Sequence, residues 1–507
     1  MSPPPEPATR YVPQKRVLER IALENPWWQS KGSVNEFYKA LRPRGYFGPF
    51  YGLVTQQTPR RATVLMGPRR VGKTVMIHHA IQALLDAGTP REHVLYVSVD
   101  HPMYNGLGLE DLLDLYCKGR DLDPTQQQLY LFFDEVQYLR DWEVHLKTLF
   151  DGYPNLRLVV SGSAAAALRL KSGESGAGRF TDFLLPPLTF HEYLELTENG
   201  DLVEERGAEE GSFVFDCEDI EELNTQFIAY LNYGGYPEVA TTPAIRADTE
   251  RYVRSDIIDK VLLRDLPSLY GIRDIQELNS LFMVLAYNTA NEVSLNTLSK
   301  DSGVTKPTIK RYIEYLEAAF LLRRVERVDR NARRFKRAVS FKIYLTNPSM
   351  WSALFSPVGA RDTETIGSLA ETAVFAQWFH SPTPPHYARW DKGEVDLVGL
   401  YGNQSPSWAL EVKWSDGPIK RNGQLKQAIA FCHANNLDEL TVTTRTHRGG
   451  VLLDSVLVEF YPTALYCYTV GRNAVSGMRS EMARERRAAR LGALRQRLRR
   501  KPPGVSE

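Results

Sequence analysis

Residues 67 to 74 read Gly67-Pro68-Arg69-Arg70-Val71-Gly72-Lys73-Thr74, the G-x-x-x-x-G-K-[ST] pattern of a phosphate-binding loop. Its surroundings have the required order of strand, loop and helix. Ala62-Thr63-Val64-Leu65-Met66 is a short apolar, β-branched run that fits a buried strand, and the stretch from Val75 to Leu85 has helical periodicity. The glycines let backbone N–H groups point at phosphate oxygens, and the helix that follows adds its positive N-terminal end. Lys73 can reach the β- and γ-phosphates of a nucleotide and Thr74 can ligate Mg²⁺. All eight residues, from Gly67 through Pro68, Arg69, Arg70, Val71, Gly72 and Lys73 to Thr74, are therefore candidates for nucleotide binding, with ATP and Mg²⁺ as the expected cofactors.

Working outward, the residues from His93 to Asp100 read as a second buried strand and those from Leu107 to Tyr116 as an amphipathic helix. Leu129-Tyr130-Leu131-Phe132-Phe133 is an apolar run ending in Asp134-Glu135; a helix begins near Trp142, and Leu156 to Ser163 forms a further strand. Strands alternating with helices predict a parallel α/β sheet with helices on both faces. Hydrolysis needs an acidic motif that holds Mg²⁺ and polarises water. Asp134, at the tip of a strand expected beside the P-loop strand, suits the Mg²⁺ shell, and Glu135 suits a general base. Ser163, at the end of the next strand, can contact the γ-phosphate or order the water; the alternative is an ordinary turn serine. His78-His79 is expected on the helix surface rather than at a metal.

The 507 residues are too many for one ordinary core and suggest about three domains. With 62 basic and 61 acidic residues the net charge is +1, so a nucleic-acid surface would have to arise from local clustering. Cys117, Cys217, Cys432 and Cys467 are scattered, without zinc-ligand spacing, as expected of a reducing cytosol. No apolar run approaches a membrane span, so a soluble cytoplasmic protein with no membrane partner is expected.

Beyond residue 190 the pattern becomes mostly helical. Leu295 to Ile313 then reads as helix-turn-helix: Gly303 fits the turn, Thr305 the N-cap, and Lys306, Thr308, Lys310 and Arg311 line the second helix. Such a helix can enter the major groove of DNA. The basic segment that follows, Arg323, Arg324, Arg327, Arg330, Arg333, Arg334, Lys336, Arg337 and Lys342, reads as a wing for phosphate contact. The alternative is a winged helix used for packing or protein contact.

Three elements follow in order: Glu371 in a helix, Gly393-Glu394-Val395-Asp396-Leu397-Val398 in a strand, and Ala409-Leu410-Glu411-Val412-Lys413 in another. Alternation puts Glu394 with Asp396, and Glu411 with Lys413, on one face each, so Asp396, Glu411 and Lys413 can converge at the end of paired strands. Two carboxylates, Asp396 and Glu411, can hold Mg²⁺ while a lysine positions or activates water for phosphodiester cleavage. An ordinary edge strand is the alternative.

Two resemblances add to this reading. The P-loop octapeptide, Phe132-Phe133-Asp134-Glu135-Val136-Gln137 with Trp142 shortly after, Val159-Val160-Ser161-Gly162-Ser163, Gly178-Arg179-Phe180 and Leu188-Thr189-Phe190-His191-Glu192-Tyr193 together resemble a group of prokaryotic AAA-type ATPases. In that group a C-terminal region of poorly defined function follows the ATPase; the resemblance runs from about residue 60 to 415, with Tyr233 to Glu238 at a signature of the connecting region. It implies an AAA-like ATPase with Arg179 as arginine finger or sensor, in cis or from a neighbouring subunit; the alternative is a surface arginine. The Asp and Glu-x-Lys elements resemble restriction-endonuclease-like nucleases, which implies a catalytic set of Glu371, Asp396, Glu411 and Lys413, with Gln424 or Gln427 as accessory.

The expected organisation is a flexible segment over 1–30, an AAA-like ATPase over 31–195, a helical linker or lid over 196–290, a winged helix over 291–360, a nuclease-like α/β domain over 361–475 and a basic tail over 476–507. The expected function is an ATPase coupled to DNA binding and cleavage, in a chain able to form homo-oligomers. A signalling switch with an inert nuclease-like module and an oligomeric DNA-translocating motor remain as alternatives.

Overall fold

The computed structural model describes residues 13–29, 32–162, 178–206, 214–332, 340–379 and 385–476, without the side chain of Asn422. The chain divides into two compact units, residues 1–185 and 186–507. Ser163, Arg333, Arg334, Lys336, Arg337 and the basic tail lie outside the described residues. Among the described residues no helix is long and apolar enough to cross a membrane, and all four cysteines are free.

The first unit is built on five parallel strands, β1 (Ala62–Met66), β2 (Val94–Ser98), β3 (Leu129–Asp134), β4 (Leu156–Gly162) and β5 (Phe180–Leu184). Their spatial order is β2-β3-β4-β1-β5. Buried on both faces, the strands read as continuous apolar runs rather than alternating ones. The strand of Asp134 is therefore not beside the P-loop strand, as sequence order suggested, because β4 is inserted between β3 and β1. The connecting helices include α2 (Lys73–Asp86), α3 (Leu109–Arg120) and α4 (Trp142–Gly152), preceded by α1 (Gln14–Glu24).

Within the 1–30 segment, where the sequence suggests a short helix over Arg16 to Trp28 after a Pro-rich start, helices span Gln14–Glu24 and Pro26–Trp28. Val17, Ile21 and Trp27 are buried, the first two in the same core as the sheet. Asn25 donates to the Tyr96 carbonyl (2.7 Å) and accepts from the Tyr96 amide (2.7 Å), and Trp27 Nε1 donates to the Val94 carbonyl (3.1 Å). The segment thus satisfies backbone groups along the outer strand β2, covering an edge that would otherwise be unpaired.

The second compact unit begins at residue 186 and includes α5 (Phe190–Leu196). Phe190, Tyr193 and Leu194 share one core with α6 (Ile220–Tyr233) and with residues as far along the chain as Tyr468. The expected linker, winged-helix and nuclease-like segments are consequently parts of one packed body. A ribbon of β6 (Glu204–Arg206) and β7 (Val214–Asp216) precedes α6. Next come α7 (Ile275–Tyr287), β8 (Glu292–Ser294), α8 (Leu295–Ser302), α9 (Lys306–Ala318) and β9 (Leu322–Val325). After the two-residue β10 (Arg327–Val328), β11 (Ser340–Leu345) completes a three-stranded antiparallel sheet in the order β8-β11-β9.

The C-terminal sheet has seven strands, ordered β10-β12-β13-β14-β15-β17-β16, where β12 is His386–Trp390, β13 Gly393–Leu400, β14 Pro406–Glu411, β15 Glu439–Thr444, β16 Gly449–Leu453 and β17 Val456–Pro462. Helix α10 (Thr363–Trp378) precedes β12, α11 (Lys426–Ala434) links β14 to the parallel β15, and α12 (Thr463–Val475) follows β17. Because β10 pairs with β12, Arg327 and Val328 form an edge strand of the second sheet.

Candidate functional site

Parallel pairing aligns the C-terminal ends of β1 to β5 on one edge of the first sheet, and the phosphate-binding loop leaves β1 there. At Gly67 a Cβ would lie 2.1 Å from the Leu185 carbonyl oxygen, so any side chain is excluded. Gly72 has φ +96°, a left-handed conformation that glycine adopts without penalty. Val71 is buried beneath the loop, and its carbonyl accepts from the Arg44 guanidinium at 2.8 Å. The buried Lys73 arches back, its Nζ donating to the carbonyls of Gly67 (3.1 Å) and Pro68 (2.9 Å). Arg69 meets the Tyr138 hydroxyl at 3.0 Å, and Arg70 is exposed at φ 61°.

Thr74 Oγ1 donates to Asp134 Oδ2 at 2.6 Å. The same carboxylate accepts from the Tyr96 hydroxyl (3.0 Å), from Ser161 Oγ and from the Glu135 amide (3.1 Å). Four donors from four segments hold it in one orientation. Ser161, which sequence reasoning passed over in favour of Ser163, is fully buried on β4, next to β3. Its position follows from strand register: Val160 pairs with Phe133, so the next residue, Ser161, comes level with Asp134. Glu135 turns at φ 58° and is hydrogen-bonded by Gln137. Burial, with Asp134 adding and Lys73 opposing, raises its affinity for a proton, as suits a general base. A Mg²⁺ ion fits the Thr74 hydroxyl and Asp134 carboxylate, which are hard oxygen donors in contact.

Behind Asp134 the two histidines are not on the surface. His78 stacks on Tyr38 (3.9 Å between centroids, 12°) and tilts against Tyr96 (4.7 Å). The helix needs an apolar face there to cover the sheet, and a neutral imidazole serves; His79 Nε2 pairs with the Tyr38 carbonyl at 2.9 Å.

Arg179 sits at the other edge of the sheet. Its carbonyl accepts from the Ala62 amide (2.8 Å), at the start of β1, and its guanidinium pairs with Asp151 at 2.8 Å. The length of β1 separates it from the loop of its own chain, so a sensor role in cis is excluded by the strand direction.

In the second unit, α9 displays Lys306, Lys310 and Arg311 to solvent, after a turn through Gly303. The following basic segment behaves differently from its expectation. Arg323 lies over the Phe379 ring (4.5 Å), Arg324 is 3.9 Å from Glu317, and Arg327 donates to the Arg389 carbonyl (3.1 Å). Lys342 is only 3% exposed. A side chain in that position cannot contact phosphate, so Lys342 leaves the proposed DNA surface.

Lys342 instead enters the carboxylate centre. Its Nζ lies 2.7 Å from Glu394 Oε1, 2.8 Å from Glu371 Oε1 and 3.4 Å from Asp396 Oδ1. Tyr344, two residues on, donates to Glu371 Oε1 at 2.7 Å. Asp396 Oδ2 accepts from the Val412 amide (2.8 Å) and from Lys413 Nζ (3.4 Å), which also reaches Glu411 Oε1 (2.8 Å). The Lys413 backbone is held by Thr443 and Thr463, and the sequence-derived set of Glu371, Asp396, Glu411 and Lys413 thus meets around two ammonium groups. Gln424 is exposed and lies beside Gly417.

Burial pushes Asp396 up, but Lys413 and Lys342 outweigh it and hold the carboxyl below its ordinary range. Burial and the charge of Asp396 push Glu411 up to about 8. Glu411 Oε2 is buried with no hydrogen-bond partner, the condition that a cation would relieve. Among the described residues no three Asp, Glu, His or Cys side chains form a metal cage. Mg²⁺ needs only one or two carboxylates when water fills the remaining positions, so Asp396 and Glu411 fit it.

Residues 59–194 match a family described as an AAA domain, and residues 224–362 match one described as a domain of unknown function. An uncharacterized protein of Haemophilus influenzae is 24% identical over 341 residues, 66% of this chain and 78% of the relative. Another, MJ1544 of Methanocaldococcus jannaschii, is 24% identical over 269 residues, 52% of this chain and 56% of the relative, so the chain spans little more than half of that protein. The structure of AMPPCP-bound DnaA from Aquifex aeolicus is 15% identical, with 58% of this chain and 92% of that chain covered and a TM-score of 0.27. With its five-stranded parallel sheet and phosphate-binding loop, the region 59–194 is an AAA-type P-loop ATPase domain.

Proposed function

We propose that this protein is a cytoplasmic, Mg²⁺-dependent ATPase that couples its nucleotide cycle to DNA binding and DNA cleavage, in DNA processing or defence against foreign DNA. The observation that carries the cleavage half is the meeting of Asp396, Glu411 and Lys413, two carboxylates bridged by one ammonium at the end of β14. Bound Mg²⁺ would neutralise phosphate charge and make water more acidic at both centres. Lys73 would bind the nucleotide phosphates, Asp134 would orient the ion's shell through Thr74, and Glu135 would take the proton of the attacking water. In the second unit Asp396 and Glu411 would hold the ion, and Lys413 would orient water or the scissile phosphate. The α7-β8-α8-α9-β9-β11 order supports the winged-helix reading, and Lys306, Lys310 and Arg311 on the exposed α9 support DNA contact. Arg179 would serve hydrolysis only from a neighbouring copy in a homo-oligomer.

The test is cleavage of labelled linear, single-stranded and branched DNA with Mg²⁺, with and without ATP. Loss of cutting in Glu411→Ala is expected, and loss in Lys73→Ala would place the cut under nucleotide control. ATP turnover without any cutting by the wild type would remove the cleavage half. That outcome belongs to the rival reading, a nucleotide-dependent switch with an inert module, which the Lys342 ammonium among the carboxylates favours.

A further inference from the structure

Three observations set Lys342 apart from the other basic residues of its segment. Its ammonium has three protons and three carboxylate neighbours, Glu371, Glu394 and Asp396, so its donor capacity is filled. Its backbone is fixed from both sides, because β11 pairs Lys342 with Glu292 of β8 and with Val325 of β9. It belongs to the three-stranded sheet, whereas Glu394 and Asp396 belong to the seven-stranded one and Glu371 to α10. A cation delivered by one sheet is therefore enclosed by acidic groups of another.

Carboxylate oxygens gathered around one positive centre are also what a divalent ion requires. We propose that the Lys342 ammonium stands in the place of a second divalent cation, so that the C-terminal centre accepts a single ion, on Asp396 and Glu411. This rests on the reading of those two residues as an ion-binding pair. Glu371 and Glu394 are taken up by Lys342, and Glu394 also by the Arg389 guanidinium at 3.4 Å. What remains is Asp396 Oδ2 and the partnerless Glu411 Oε2. Lys413 touches Asp396 Oδ2 and the other Glu411 oxygen, Oε1, but its side chain is 35% exposed and can swing aside, unlike that of Lys342 at 3%. A second ion would have to share the three carboxylates with an ammonium that two strand ladders hold in place. Lys342 is thus a positioning residue, which sets the ion count and ties the centre to the sheet beside the exposed helix α9.

The experiment is a Mn²⁺ titration of the full chain without nucleotide, followed by electron paramagnetic resonance, with Asp396→Asn giving the ions bound elsewhere. The wild type is expected to bind one Asp396-dependent ion per chain, and Lys342→Met two. Two Asp396-dependent ions in the wild type, or an unchanged count in a folded Lys342→Met chain, would overturn the proposal. Removing Lys342 leaves buried carboxylates without a counter-charge and can prevent folding. Glu371→Gln keeps acceptors for Lys342 and Tyr344, and it is expected to retain the single ion; losing that ion would assign Glu371 to the metal and overturn the proposal. Absence of any Asp396-dependent ion in every chain would instead overturn the reading of the centre itself.

Discussion

The Thr74 hydroxyl, at the start of helix α2, and the Asp134 carboxylate, at the end of β3, lie 2.6 Å apart although β1 and β3 are not neighbours. Helix α2 begins where the loop has carried the chain across β4, so its first turn reaches the tip of β3. The contact joins the residue suited to ligate Mg²⁺ directly to the residue suited to orient its shell. Asp134→Asn removes the charge but keeps the volume. Nucleotide binding, measured with a fluorescent analogue, is expected to change only a few-fold, while turnover falls by about 10²–10³. Turnover within a few-fold of wild type would remove Asp134 from the mechanism.

The phosphate-binding loop was legible because its geometry is local: eight successive residues, a strand before and a helix after. Strand order was not, because the insertion of β4 between β1 and β3 depends on pairing between distant segments. Ser161 was missed for the same reason, since only the neighbouring strand shows which serine faces Asp134. Lys342 was absorbed into a basic run that begins at Arg323, and counting charge concealed the pattern of β11. Five of the six residues in Ser340-Phe341-Lys342-Ile343-Tyr344-Leu345 are buried, so its lysine had to be buried with a counter-charge. Glu371, Asp396, Glu411 and Lys413 could be ordered from the sequence, but their missing partner came from an element assigned to another domain.

The N-terminal segment is predicted to stabilise the first unit. Trp27 is fully buried, and its indole N–H satisfies the Val94 carbonyl. Trp27→Ala is expected to cost about 3–5 kcal/mol. Urea titration with retained nucleotide binding as the signal reads the first unit alone. A shift below about 0.5 kcal/mol, the range of ordinary surface changes, would mean that the segment is dispensable.

DNA contact through α9 has a salt signature. Lys306, Lys310 and Arg311 are exposed, whereas Arg323, Arg324 and Arg327 are half-buried and engaged within the protein. Lys310→Ala is expected to weaken binding across sequences and to reduce the slope of log affinity against log salt by about 1. Arg327→Ala should leave the slope unchanged. Fluorescence anisotropy over a series of salt concentrations separates the two, and an unaltered slope in Lys310→Ala would take α9 off the phosphate backbone.

The packing of His78, stacked on Tyr38 and tilted against Tyr96, makes the first unit sensitive to acid. Burial, with the neighbouring His79 adding, lowers the affinity of His78 for a proton from the ordinary 6.5 to about 3. Between those two values the unfolded chain carries a proton that the folded one lacks, so stability rises with pH. The contribution of a neutral His78 is complete above 6.5 and is lost as the pH falls toward 3. At pH 5 the loss amounts to about 2 kcal/mol relative to pH 7. His78→Phe keeps a ring in the stack and cannot take up the proton. Urea titrations at both pH values, again read by nucleotide binding, should show a smaller acid loss in His78→Phe by about that amount. Equal losses in the two chains would mean that water or a conformational opening lets His78 titrate near its ordinary value.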